Sequence, residues 1–174
     1  MFKPDISFVH KYFIEEKQAG LIFIVLGSIA MITAIVFFFF IKSNPSFYKG
    51  AAIPLIAIGL IQAIVGITVY TRSDKQRIDT SYQIGLEPVP FVKNTELPRM
   101  EKVMRSFTYI MIAEVVFLIV GVGLFLYFNK SVDKSFWKGF GLALAMIAVV
   151  SLVADYFAES RGKNYTTELK KLIQ

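Results

Sequence analysis

The chain has 174 residues, 55% of them hydrophobic and only 18% charged, with a formal net charge of +6. A soluble domain carries about 25% charged residues; here the charges sit in blocks between long apolar runs, which is how a single membrane domain distributes them. The lack of cysteine excludes disulfides, thiolate metal sites and cysteine nucleophiles, and the single histidine, His10, excludes a multi-histidine metal site within one protomer.

Residues 1–19 carry Ile6, Val9, Phe13 and Ile14 at helical spacing, with Lys11, Glu15, Glu16 and Lys17 between them. That pattern predicts a short amphipathic helix at the membrane surface. Residues 21–41 are uncharged and would rise about 31 Å as a helix, matching a hydrocarbon core of about 30 Å. They read as a retained first span rather than a cleaved signal.

Residues 42–50 form a polar turn, and 51–70 the second span, with Pro54 expected in its first turn, where a missing amide donor costs little. Residues 72–77 are expected to prolong this helix past the membrane. Gly85, Pro88 and Pro90 predict an extended or irregular segment over 81–93. Thr95 resembles an N-cap, followed by a helix that runs into the third span, 107–128. A second short turn leads to the fourth span, 140–157, and a polar tail with Tyr165, Leu169 and Leu172 on one face. The fold class is therefore all-α, a four-transmembrane-helix bundle.

Four spans put both termini on one side, together with residues 71–106. That side holds 14 of the lysines and arginines and the other side 5, Lys42, Lys49, Lys130, Lys134 and Lys138. The positive-inside rule places the 14 in the cytoplasm. The excess positive charge is read in the same way, as contact with anionic headgroups, and no nucleic-acid partner is expected. Phe47, Tyr48, Phe136 and Trp137 mark the opposite rim.

The two hairpins look alike. Ser46-Phe47-Tyr48-Lys49-Gly50 enters the second span, and Ser135-Phe136-Trp137-Lys138-Gly139 enters the fourth, 89 positions later. The reading is a duplicated hairpin, a parallel repeat about an axis along the membrane normal. Helices in lipid pack through small residues. Gly59, Ala63 and Gly66 of the second span and Gly141, Ala145 and Ala148 of the fourth are expected to bring those two helices together. Gly27, Ala30 and Ala34 serve the first.

Intramembrane polar groups are the candidate functional residues: Glu114, about 10 Å into the third span, Asp155 near the end of the fourth, and Gln62 and Ser151. An ionisable residue in a span costs about 2.5–3.5 kcal/mol on insertion scales. Glu114 and Asp155 could approach one another or Gln62, and together bind a cation or relay protons; the plainer alternatives are Asp155 pairing with Arg161 or Lys163 and Glu114 in an interhelical hydrogen bond. Nothing assembles a catalytic set, a phosphate-cradling loop, a metal site or a cofactor site. The 71–106 segment is longer than a hairpin connection requires. Its apolar middle, with Tyr82, Leu86, Pro88, Pro90 and Phe91, is the candidate partner-binding region.

Two stretches carry a resemblance: Leu97-Pro98-Arg99-Met100-Glu101-Lys102-Val103-Met104, and Phe136-Trp137-Lys138-Gly139-Phe140-Gly141-Leu142 with Asp155-Tyr156-Phe157-Ala158-Glu159-Ser160-Arg161-Gly162. Over mainly the C-terminal half, the chain resembles uncharacterised small four-helix integral membrane proteins of Bacteroidota-type bacteria. The resemblance implies an architecture and a bacterial inner membrane, but no activity or site residue. The functional expectation is a non-enzymatic protein that works by protein–protein contact, as a subunit or regulator of a membrane complex or an immunity-type protein. The alternative is a homo-oligomeric ion or proton channel, or a small-solute transporter, that uses Glu114.

Overall fold

A computed structural model describes residues 6–174, apart from the side chain of Val132; residues 1–5 of the expected N-terminal segment lie outside it. Four long helices carry the fold: α1 (Ser7–Phe39), α2 (Pro45–Leu86), α4 (Leu97–Tyr127) and α5 (Ser135–Leu172). A single turn, α3 (Pro88–Phe91), and a π-helical turn (Val92–Glu96) join α2 to α4. All four long helices are apolar and long enough to cross a membrane, as expected of a multi-pass integral membrane protein. α1 lies along α2, and α4 along α5. α2 and α5 hold the two hairpins together, so α1 and α4 are the outer helices of the bundle.

The helices outrun the bilayer at one end. α2 has 42 residues, about 63 Å of rise against a hydrocarbon core of about 30 Å. The excess lies on the side of the termini and residues 71–106. The expected surface-lying helix at the N-terminus is not separate, because α1 runs unbroken from Ser7 into the first span. Its Val9, Tyr12 and Phe13 are buried against other helices rather than laid on lipid.

The connection departs furthest from expectation. Residues 81–93 are helical except at Glu87, whose φ of −137° and ψ of 72° end α2. A residue before proline avoids the α region, so Pro88 explains a break one residue wide. Pro88 and Pro90 fall within the four residues of α3, where helix amides have no intrahelical partner and a missing donor costs little. Thr95 caps nothing, since it lies inside the π turn and α4 begins at Leu97 without a side-chain cap. Pro54 is not in a first turn either. α2 starts at Pro45, which takes that place, and Pro54 is interior, leaving the Gly50 carbonyl without its helical donor. Asn44, just before α2, has a φ of 48°, a left-handed conformation that asparagine tolerates better than most residues. The Ser135 hydroxyl donates to its Oδ1 at 2.7 Å, tying the two hairpin turns together.

Gly59, Ala63 and Gly66 pack helices, but against α1 rather than α5. A Cβ at Gly27 would stand 2.4 Å from the Gly59 carbonyl oxygen and 2.8 Å from the Ala63 amide, and one at Gly66 2.6 Å from the Gly20 carbonyl oxygen. Gly141 and Ala145 likewise face Gly121 of α4, and Ala148 is buried. The small residues thus close each hairpin. α2 and α5 meet on other faces, at Gly50 beside the Phe136 carbonyl, Gly139 beside the Phe47 carbonyl, and Gln62 beside Ser151.

Outside the membrane the bundle has an aqueous-type core. Val9, Phe13, Ile84, Val92, Met100 and Leu169, from α1, α2, the π turn, α4 and α5, are buried to 1% exposure or less. Each such side chain contributes about 1.5–3 kcal/mol when taken out of water. Helices inside lipid gain nothing of that kind, so this is where the hydrophobic effect holds the two hairpins together.

Candidate functional site

Three arrangements carry chemistry. The first is a charged knot in the extramembrane core. Glu96, 2% exposed, ends the π turn. Val92, Glu96 and Met100 are buried at four-residue spacing, which a wider turn keeps on one face. Arg99 donates from Nε and Nη2 to the two Glu96 oxygens at 2.8 and 2.7 Å, and Tyr165 donates its hydroxyl to Oε1 at 2.7 Å. Tyr12 stacks on Tyr165 with centroids 4.1 Å apart and planes 6° from parallel. Burial pushes both phenols well above their usual range. Burial also works against the Arg99 charge, and the doubly bonded Glu96 outweighs it, so the guanidinium stays charged. The knot joins α1, α4 and α5, and its three polar groups satisfy one another, which suits a structural lock.

Beside it, Glu16 of α1 lies 3.4 Å from Arg72 of α2, and its Oε2 is buried without a donor. Burial raises its pKa more than Arg72 lowers it. A carboxyl whose pKa is higher folded than unfolded favours folding while protonated and loses that advantage as pH climbs through and above the ordinary carboxylate range. Glu16→Gln is therefore expected to raise the melting temperature in detergent near about pH 7.5 and to leave it unchanged near about pH 4. A lower melting temperature at the higher pH would mean that the attraction of Arg72 dominates.

The second arrangement is intramembrane. Gln62 Nε2 donates to Ser151 Oγ at 2.7 Å between α2 and α5, across 89 positions of sequence, with both side chains buried. Interhelical bonds of this kind average about 0.6 kcal/mol in membrane proteins. Glu114 of α4 and Asp155 of α5 are each 8% exposed and neighbour one another, with Glu114 Oε2 buried without a hydrogen-bond partner. A hydrogen bond between the two would require a proton on one of them, because two adjacent buried carboxylates repel. Asp155 is thus turned to Glu114 and not to the cations named for it from sequence. Lys163 pairs with Glu159 instead, at 3.0 Å. The two polar pairs sit in different interfaces, one between α4 and α5 and the other between α2 and α5, and Gln62 bonds to Ser151.

The third is the outer face of α2 beyond the membrane. Ile78, Tyr82 and Leu86 are 62%, 63% and 59% exposed. At four-residue spacing they form one stripe, opposite the buried Ser73, Thr80 and Ile84. Of the expected partner-binding residues, Tyr82 and Leu86 stand on this stripe and Pro90 is exposed near it. Pro88 is half-buried, and Phe91 packs against the core.

Sequence reading missed the Glu96–Arg99–Tyr165 knot. Its one local signal is a carboxylate three residues before an arginine, which is common on helix surfaces. His10 is exposed. No protein-family model matches the chain, and neither a curated protein nor a solved structure matches it.

Proposed function

We propose that the chain is a non-enzymatic membrane protein that binds a partner protein through the outer stripe of α2, on the cytoplasmic side. The observation that carries this reading is the depth of the stripe. Tyr82 and Leu86 lie 12 and 16 residues past residue 70, the end of the second span, or about 18 and 24 Å of rise. The headgroup layer adds only about 5–7 Å to each side of the hydrocarbon core. Neither lipid nor the chain's own core covers them, and an apolar stripe at helical spacing in water suits an amphipathic partner helix.

A second copy fits less well. Pairing two copies about an axis along the membrane normal would set Lys75 against Lys75 and Asp79 against Asp79, since both lie on the same face of α2 as the stripe. Like charges would then meet along the seam. The resemblance between the hairpins, with Gln62 bonded to the residue 89 positions on and Gly50 and Gly139 contacting reciprocal carbonyls, supports duplication as the origin of the scaffold.

The test is a photo-crosslinking amino acid at position 82 in native membranes, with position 109, an exposed residue of the third span, as control. A discrete adduct with another protein from position 82 alone is expected. Adducts with only a second copy, or none, would overturn the proposal. Transport is the rival reading and rests on the buried Glu114–Asp155 pair. Proton flux in liposomes that Glu114→Gln abolishes would favour it over binding.

A further inference from the structure

A groove runs between α1 and α5 and crosses the membrane boundary. Its inner part encloses about 570 Å³ and is walled by apolar side chains, among them Phe23, Leu26, Val149 and Val153, with Arg161 at its lip. Its outer part, about 620 Å³, begins at the same Arg161 and is lined by polar groups that include Lys11, Glu15, Asn164 and Glu168. The two parts adjoin at Arg161, greasy below and charged above.

We infer that this groove is a site for one zwitterionic, ammonium-bearing phospholipid of the ethanolamine type, from the leaflet on the side of the termini. Depth and charge both point there. Arg161 lies four residues past residue 157, the end of the fourth span, about 6 Å above the hydrocarbon, at the level of lipid phosphates. A half-buried guanidinium there offers a forked donor matched to a phosphodiester. Glu15 and Asn164 lie about 9 and 10 Å above the hydrocarbon, one step further out, where the ammonium of such a headgroup reaches. At headgroup depth the charged side chains that line the groove are Arg161 and Glu15, which cancel; Lys11 and Glu168 stand about 15 and 16 Å above the hydrocarbon. A zwitterion leaves that balance undisturbed, whereas a lipid of net negative charge would set its surplus against Glu15. Glu168 is further out and paired with Lys171 at 2.6 Å, so Glu15 is the group that reads the ammonium. The apolar walls below accept an acyl chain.

The experiment is native mass spectrometry of the full chain in detergent, titrated with an equimolar mixture of phosphatidylethanolamine and phosphatidylglycerol of distinguishable mass. One tightly held lipid is expected, with ethanolamine preferred by about three- to fivefold, the worth of a partly exposed charge pair. Arg161→Leu should weaken retention of both lipids by about tenfold or more, through loss of a charge-assisted bond. Glu15→Gln should erase the headgroup preference while keeping the lipid. Val153→Trp, at an exposed position that cannot upset the core, should evict the lipid with Arg161 intact. Equal binding of the two lipids, indifferent to Arg161, would mean ordinary annular lipid and would overturn the proposal. So would a preference for phosphatidylglycerol.

Discussion

Adding one methyl group at Gly139 or Gly50 is expected to destabilise the protein by about 3 kcal/mol, the upper part of the range for overpacking. A Cβ at Gly139 would stand 1.9 Å from the Phe47 carbonyl oxygen, and one at Gly50 2.0 Å from that of Phe136. Both obstacles are backbone on a packed helix, so no side chain can swing aside, and relief requires α2 and α5 to part. They are the helices that join the hairpins. Gly85 and Gly123 are the controls, because a Cβ at either meets nothing within 4 Å. There alanine should be neutral or stabilising by up to about 1 kcal/mol, through helix propensity alone. Thermal unfolding in detergent, followed by size-exclusion recovery, separates the two pairs. Gly139→Ala as stable as Gly123→Ala would contradict the close approach of α2 and α5.

Removing the Glu96 carboxylate is the second large effect. Glu96→Ala leaves the Arg99 guanidinium without its two acceptors and the Tyr165 hydroxyl without its one. Breaking a buried ion pair costs about 3–5 kcal/mol. The Arg99 side chain keeps 27% exposure and can reach water, which places the expected loss near about 3 kcal/mol. Tyr165→Phe should cost about 1 kcal/mol, and the double variant should cost less than the sum, because the first change has already taken the bond of the second. The damage should show outside the membrane, as faster tryptic cleavage at Lys93 and Lys102. Melting and cleavage unchanged in Glu96→Ala would remove the knot from any stabilising role.

The membrane half of this fold was legible in the sequence because its signals are additive and local. Four apolar runs of about 20 residues, two of them carrying a single carboxylate, aromatic residues at one rim and small residues at helical spacing each follow from the bilayer as solvent. Gln62 and Ser151 were legible as intramembrane polar residues 89 positions apart, but the hydrogen bond between them was not. Glu114 and Asp155 were legible as costly groups, and so were their place in the membrane and their capacity to meet.

What escaped was everything decided by tertiary contact in water. Gly85, Pro88 and Pro90 argued for an irregular connection, yet each proline fell where a helix spares its amide, and only Glu87 had to leave the α region. The small-residue stripes revealed which faces are packed but not against which neighbour. A glycine face suits any close helix, and adjacent helices in the chain took it first. Glu96, Arg99 and Tyr165 look like ordinary surface residues until Val9, Phe13 and Leu169 bury them.

The most direct measurement uses the lack of native cysteine. Single cysteines at positions 82 and 86 would be reacted with a water-soluble maleimide in native membranes, and again in liposomes holding only the purified protein, with Ile84→Cys as the buried reference. Docking of a partner protein on the stripe predicts slow labelling at 82 and 86 in native membranes and fast labelling in the liposomes, with 84 slow in both. Fast labelling in both settings would show that nothing covers the stripe, and slow labelling in the liposomes would show that lipid or a second copy does; either result would contradict a role in binding another protein.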